Sequence, residues 1–256
     1  MTSITVTESP HLALLLRRAD DSLVLAHRLS EWCGHAPMLE EDLALANIAL
    51  DLLGQARALY THAAGIEGRG RTEDDLAYLR DAPSYRNILM AELPRGDFAF
   101  TIARQFLFSA FMHPYWRVAQ SSTDPTFAAI AAKAEKELAY HLRHSAEWLI
   151  RLGDGTEESA RRAAEALEEL WPYTGELFAS DEADNEVIAA GFAPDPAALR
   201  AEWDATVARV LDQATLTRPR DGWMQSGGRR GVHTEHLGHM LATMQHLQRA
   251  YPGAVW

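Results

Sequence analysis

A single cysteine, Cys33, among 256 residues excludes a disulfide framework and any four-cysteine zinc or iron–sulfur centre. Positive charge is short too. The 24 Lys and Arg stand against 36 Asp and Glu, a formal net charge of −12, whereas binding to a phosphate backbone needs a basic face. No apolar run approaches the roughly 20 residues of a membrane span. The opening segment MTSITVTESP has neither the basic start nor the apolar core of a signal peptide. The expectation is a cytoplasmic protein with neither nucleic acid nor membrane as partner. Nucleophile signatures are missing as well: there is no Gly-x-Ser-x-Gly, and Cys33 falls at a helix end where the dipole disfavours a thiolate.

What is present is helix. Hydrophobic content of 47% with 23% charged residues is globular, and the length suits one large domain spanning 1–256. Leu12, Leu15, Leu16, Ala19, Leu23, Ala26 and Leu29 recur at spacings of three and four, one face of a helix that Ser9-Pro10 starts and Gly34–Pro37 ends. A second long segment runs from about Met38 to Ala64 and stops at Gly65. A third is capped by Asp97 and reaches about Ser122, with Pro114 inside it. A fourth starts at Asp124-Pro125 and ends at Gly153. Residues 65–96, with helical pieces at Thr72–Asp81 and Ser84–Leu93, are too long for a hairpin turn and read as a crossover. Two helical hairpins joined by one long crossover make the ferritin-like four-helix bundle. The fold class is therefore all-α, with a core bundle at about 10–153 and a helical extension at about 154–256. That extension holds Thr156–Leu170, the acidic stretch Asp181–Glu186, a helix from Asp195-Pro196 to about Thr215, and a last helix from about Thr234 to Ala250.

Such a bundle raises the question of a di-iron centre, which needs inward carboxylates on two helices and a Glu-x-x-His pair on each of the others. Of all the histidines, only His11 has an acidic residue three positions earlier, and Glu8–His11 straddles Pro10. The third helix has no Asp or Glu from Phe98 to Ser122. Asp51 and Gln55 on the second helix, Gln105 on the third, and Glu137 and His141 on the fourth stand at the corresponding places. If they face inward they form a polar core in place of a metal site, with Lys133, Lys136, Arg57 or Arg104 as cationic partners. Solvent or a partner chain is the other destination. A mononuclear site from Glu137 and His141 at i, i+4 is a further option.

Two other features admit more than one reading. His233, His236 and His239 at i, i+3, i+6 share a helical side, which permits a zinc or iron site but more often serves packing. The glycine-rich basic loop before them, Gly227–Gly231, could hold an anion, though without a preceding strand it is no nucleotide loop. Phe98, Phe100, Phe106, Phe108, Phe111, Tyr115 and Trp116 cover more than one face of their helix, and an interface with another protein is the expected reason.

The segments Leu29–Pro37, Leu45–Arg57, Tyr140–Arg143 and Gly231–Gly238 closely resemble the non-catalytic ferritin-like subunit of bacterial phenylacetyl-CoA epoxidase complexes, and the resemblance covers nearly the whole chain. It implies a structural subunit paired with a homologous catalytic subunit that carries the di-iron centre, with no metal, cofactor or catalytic residue in this chain. The complex inserts an oxygen atom of O2 across the ring 1,2-bond of phenylacetyl-CoA, and a separate reductase delivers electrons from NADPH. It also implies that this subunit helps shape the acyl-CoA site, through Ser84, Tyr85, Arg86 and Asn87 in the crossover and Asn185, Glu186 and Val187 in the acidic stretch. Arg86 suits the phosphates of coenzyme A; Glu186 has no evident partner there. A self-sufficient metal-binding bundle, or a helical adaptor or regulator, are the competing readings.

Overall fold

Ser9 turns the chain into its first helix: its Oγ accepts from Leu12 N at 3.3 Å, and Pro10 occupies the first turn, where a missing N–H costs nothing. This helix, α1 (Pro10–Ser30), pairs with α2 (Leu39–Glu67) in the computed structural model, which describes residues 3–254. α2 does not stop at Gly65. It runs on to Gly68, whose φ of +67° makes the left-handed C-cap that a glycine adopts without strain.

The crossover is less helical than its periodicity suggests. Thr72 and Asp75 cap each other to start α3 (Glu73–Tyr78), and only a 3-10 turn at Ala82–Ser84 and the single turn α4 (Leu89–Glu92) follow. Residues 85–88 stay extended because buried carboxylates on α1 take their backbone N–H groups: Asp20 Oδ2 accepts from Arg86 N at 2.7 Å and Asp21 Oδ1 from Ile88 N at 2.8 Å. Asp97 then caps α5 (Phe98–Ala119), accepting from Phe100 N at 2.8 Å, and the helix continues through Pro114. Asp124 caps α6 (Pro125–Gly153) with Oδ1, accepting from Thr126 N and Phe127 N at 2.9 and 3.1 Å. α5 pairs with α6, and α2 meets α6 across the bundle. α1 and the turn that follows it reach α5 through long side chains, with Arg18 over the Tyr115 ring at 4.4 Å and Trp32 Nε1 donating to Thr101 Oγ1 at 2.9 Å. The result is the all-α ferritin-like bundle, and no strand occurs among the described residues.

The remaining chain wraps this bundle with α7 (Glu157–Leu170), a tight 3-10 run at Trp171–Leu177, α8 (Glu182–Ala189), α9 (Arg200–Gln213), α10 (Glu235–Met244) and α11 (His246–Ala250). The expected last helix is broken in two at Gln245, whose buried amide is drawn to the carbonyls of Ala77 at 3.1 Å and Arg80 at 3.0 Å. α7 and α9 cover α5, which corrects the reading of its aromatic run as an interface. Phe100, Phe106, Phe108, Phe111, Tyr115 and Trp116 are all buried within this chain. The helix is apolar on most sides because it is central. No helix among the described residues is long and apolar enough to cross a membrane.

Candidate functional site

Where α2 faces α6, four of the five expected polar residues pair across the helices. His141 Nε2 lies 3.0 Å from Asp51 Oδ2, and Gln55 Nε2 donates to Glu137 Oε2 at 2.9 Å. One turn away, His144 Nε2 stands 2.8 Å from Glu41 Oε2, a pair that sequence reasoning missed. Gln55 and His141 are buried, while Asp51 and Glu137 are half-buried at the mouth of the groove. Lys133 supplies a cation, its Nζ 3.3 Å from Glu137 Oε1. Lys136 is exposed, and Arg57 pairs instead with Glu73 at 3.1 Å.

Gln105 does not belong to this group. It is buried on α5 and donates to Ser109 Oγ on its own helix at 3.0 Å. Arg104 is buried beside it without a carboxylate, donating to the carbonyls of Leu93 at 2.6 Å and Pro94 at 3.2 Å. Burial, reinforced by Arg28, pushes the Arg104 pKa down to about 9.

These donors do not fit a di-iron centre. One helix of the four offers no carboxylate, an ammonium already occupies Glu137, and the amides of Gln55 and Gln105 present N–H groups to oxygen acceptors. Among the described residues no three His, Cys, Asp or Glu side chains converge here. The same holds for a mononuclear site at Glu137 and His141, which are tied to Gln55 and Asp51 rather than to each other.

A second polar cluster, which the sequence reading passed over, is buried more deeply. It is built from four carboxylates: Asp20 and Asp21 on α1, Glu92 on α4, and Glu176. Asp20 accepts from both terminal nitrogens of Arg80, the Tyr60 hydroxyl and Arg86 N. Burial opposes the Arg80 charge, but Asp20 outweighs it and holds the guanidinium protonated, its pKa raised. Asp21 takes Arg229 at 2.8 and 2.9 Å and Arg18 at 3.3 Å. Glu92 accepts from Asn87 Nδ2 at 2.8 Å and Thr234 N at 2.6 Å, and contacts His233 Nδ1 at 2.7 Å. Glu176 accepts from Leu89 N at 2.8 Å and Gly227 N at 3.0 Å. The cluster clamps the crossover between α1 and the C-terminal loop. Its signal in the sequence is charge inside apolar runs, such as Glu92 following Ile88–Ala91.

This cluster revises two expectations. His233 lies before α10, with its ring on Glu92, so it does not share a helical side with His236 and His239, and the three-histidine metal reading falls. The glycine-rich loop does hold an anion, and it is the chain's own Glu176. Its glycines allow close approach: a Cβ at Gly228 would meet the Asn87 carbonyl oxygen at 2.0 Å, and one at Gly231 (φ +76°) the Pro83 carbonyl oxygen at 2.1 Å.

The segments expected near substrate divide by exposure. Tyr85 and Asn87 are fully buried, the former donating to the Ala77 carbonyl and the latter bound to Glu92. Val187 is on the buried face of α8. Ser84 and Arg86 are half-buried, with Arg86 ion-paired to Glu8 at 2.8 Å, and Asn185 and Glu186 are exposed. Both segments border α1: Arg86 N binds Asp20, and α8 is tied to α1 by Arg17, 2.6 Å from Asp181 and 2.5 Å from Asp184.

One surface stands out from this interior. The start of α2 leaves Met38, Leu39, Leu43 and Leu50 exposed at 46%, 72%, 58% and 63%, beside the groove that holds Asp51 and His141. The three leucines at i, i+4 and i+11 form one stripe along the helix.

The chain is 51% identical over 244 residues to one of the subunits of the 1,2-phenylacetyl-CoA epoxidase of Escherichia coli (strain K12), an alignment covering 95% of this chain and 98% of that protein. The model of the phenylacetic acid catabolic protein family matches residues 1–256. The chain belongs to that family.

Proposed function

We propose that this chain is a structural, non-catalytic subunit of a multicomponent phenylacetyl-CoA 1,2-epoxidase, paired with a homologous catalytic subunit and shaping part of the acyl-CoA site. The observation that carries this reading is α5: a central bundle helix without one carboxylate, next to a groove whose polar residues already satisfy one another. The di-iron chemistry, which activates O2 with electrons passed from NADPH by a reductase, belongs in this reading to the partner.

This chain's own residues do the holding. The stripe Leu39, Leu43 and Leu50 supplies apolar area for the pairing. The carboxylates of Asp20, Asp21, Glu92 and Glu176 fix the crossover, so that Ser84 and Arg86 present one rigid edge while the buried Tyr85 and Asn87 support it. Asn185 and Glu186 are the exposed polar groups of the acidic segment. In this reading Arg86, once parted from Glu8, meets a phosphate of coenzyme A, to which a guanidinium binds in bidentate fashion.

Co-expression with the di-iron homologue tests the proposal. Co-elution as one complex at micromolar concentration is the expected result, with epoxidation of phenylacetyl-CoA requiring both chains and the reductase. Separate elution, or full activity of the homologue alone, overturns it.

A further inference from the structure

At one end of the bundle three helix termini bring together a group that neither the polar groove nor the crossover clamp uses. His11 lies in the first turn of α1, His62 in the last turns of α2, and Asp124 is the N-cap of α6. Asp124 divides its oxygens. Oδ1 caps α6, and Oδ2 receives both imidazoles through Nε2, His11 at 2.8 Å and His62 at 2.6 Å. The three ligand atoms lie within 4.8 Å of one another, and no lysine or arginine pairs with Asp124 among the described residues. Phe192 stacks on the His11 ring at 4.4 Å and 15°, while His11 and His62 stand edge to face at 80°, so the two Nε2 atoms approach the carboxylate from different directions. The imidazoles are 23% and 18% exposed and Asp124 6%, which opens one side to solvent and closes the others.

We propose that His11, His62 and Asp124 bind one divalent transition-metal ion of the zinc type, with water completing the shell. Two neutral imidazoles and a carboxylate are a borderline donor set that zinc accepts, and three protein ligands plus an open position are a common zinc arrangement. Ligand atoms at about 2.0–2.1 Å in a tetrahedral shell lie about 3.4 Å apart. The carboxylate oxygen, at 2.8 Å from His11 and 2.6 Å from His62, therefore has to retreat by roughly 0.6–0.8 Å, a shift of the scale of a side-chain rotation that leaves Oδ1 on the α6 cap. To ligate, each histidine presents an unprotonated Nε2, with its ring N–H carried on Nδ1. The ion would tie the ends of α1, α2 and α6 together, and the proposal is independent of the epoxidase reading.

The test is isothermal titration of zinc chloride into the full-length chain after chelator treatment and desalting. One ion per chain with micromolar or tighter affinity, accompanied by a rise in Tm, is the expected result. His62→Gln and His11→Gln each weaken binding at least tenfold. Asp124→Asn, which keeps the α6 cap acceptor, does the same, and His239→Gln leaves binding unchanged. Absence of saturable binding to the wild-type chain overturns the proposal, as does unaltered affinity in the His62→Gln and His11→Gln variants.

Discussion

Replacing Asp20 by Asn tests the physical basis of the crossover clamp. Asn keeps the shape but removes the charge, and it turns one acceptor into an N–H donor facing a guanidinium. Asp20 and Arg80 are both fully buried, and Arg86 N at 2.7 Å and the Tyr60 hydroxyl lose an acceptor of full strength. Leaving a buried cation without its counter-charge costs about 3–5 kcal/mol. At about 2–4 °C per kcal/mol for a domain of this size, the Tm falls by about 6–20 °C. Urea unfolding followed by circular dichroism reads the loss directly, and an unchanged slope confirms that it is one of stability. Glu165→Gln, which breaks an exposed pair with Arg161, is the control and leaves the midpoint where it was. Asp20→Asn combined with Arg80→Met recovers part of the loss, because the stranded charge is gone. A loss below about 1 kcal/mol in the single variant, the scale of an exposed pair, refutes the reasoning.

Phe106→Ala, at the buried centre of α5, lowers stability by about 3–5 kcal/mol in the same assay, as expected for a large cavity in a packed core. Gly231→Ala forces a Cβ to 2.1 Å from the Pro83 carbonyl oxygen at a positive φ, and costs about 2–4 kcal/mol by thermal unfolding. Leu43→Glu with Leu50→Glu leaves the Tm of the isolated chain unchanged, since both side chains are exposed, but abolishes co-elution with the di-iron homologue. Burial raises the Asp124 pKa, but its hydrogen bonds from His62 and from Phe127 and Thr126 N outweigh that and hold it below the ordinary carboxylate value. A carboxylate lowered on folding stabilises above its unfolded pKa of about 3.9, and that stability is lost as pH falls through the folded value. Urea midpoints of the wild type therefore drop below about pH 4, and those of Asp124→Asn drop less steeply.

Local signals proved the legible part of the sequence. Ser9, Asp97 and Asp124 each cap the helix assigned to them, and the two hairpins and the crossover follow from those starts. Gly65 misled because a glycine inside a helix costs only about 1 kcal/mol, while the left-handed turn that ends α2 is made by Gly68. The α5 aromatics misled because periodicity reports how much of a helix is covered and not by what; the cover comes from α7 and α9, in sequence far beyond the helix itself. Helical spacing marked Asp51, Gln55, Glu137 and His141 as candidates for a polar core, but which of them pair, His141 with Asp51 and Gln55 with Glu137, comes from the structure alone. The clamp was not, since Asp21 meets Arg229 and Glu92 meets His233 across more than a hundred residues with no local period. Nor was the His11, His62 and Asp124 group, whose members sit on three different helices.

Iron content of the isolated chain tests the central claim most directly. The chain is expressed alone in iron-supplemented medium, purified and assayed by elemental analysis, with zinc measured separately. A chain that builds the epoxidase without carrying its metal centre contains close to no iron, whatever its zinc. About two irons per chain would contradict the account and would place the oxygen chemistry here, in a bundle whose central helix offers no carboxylate.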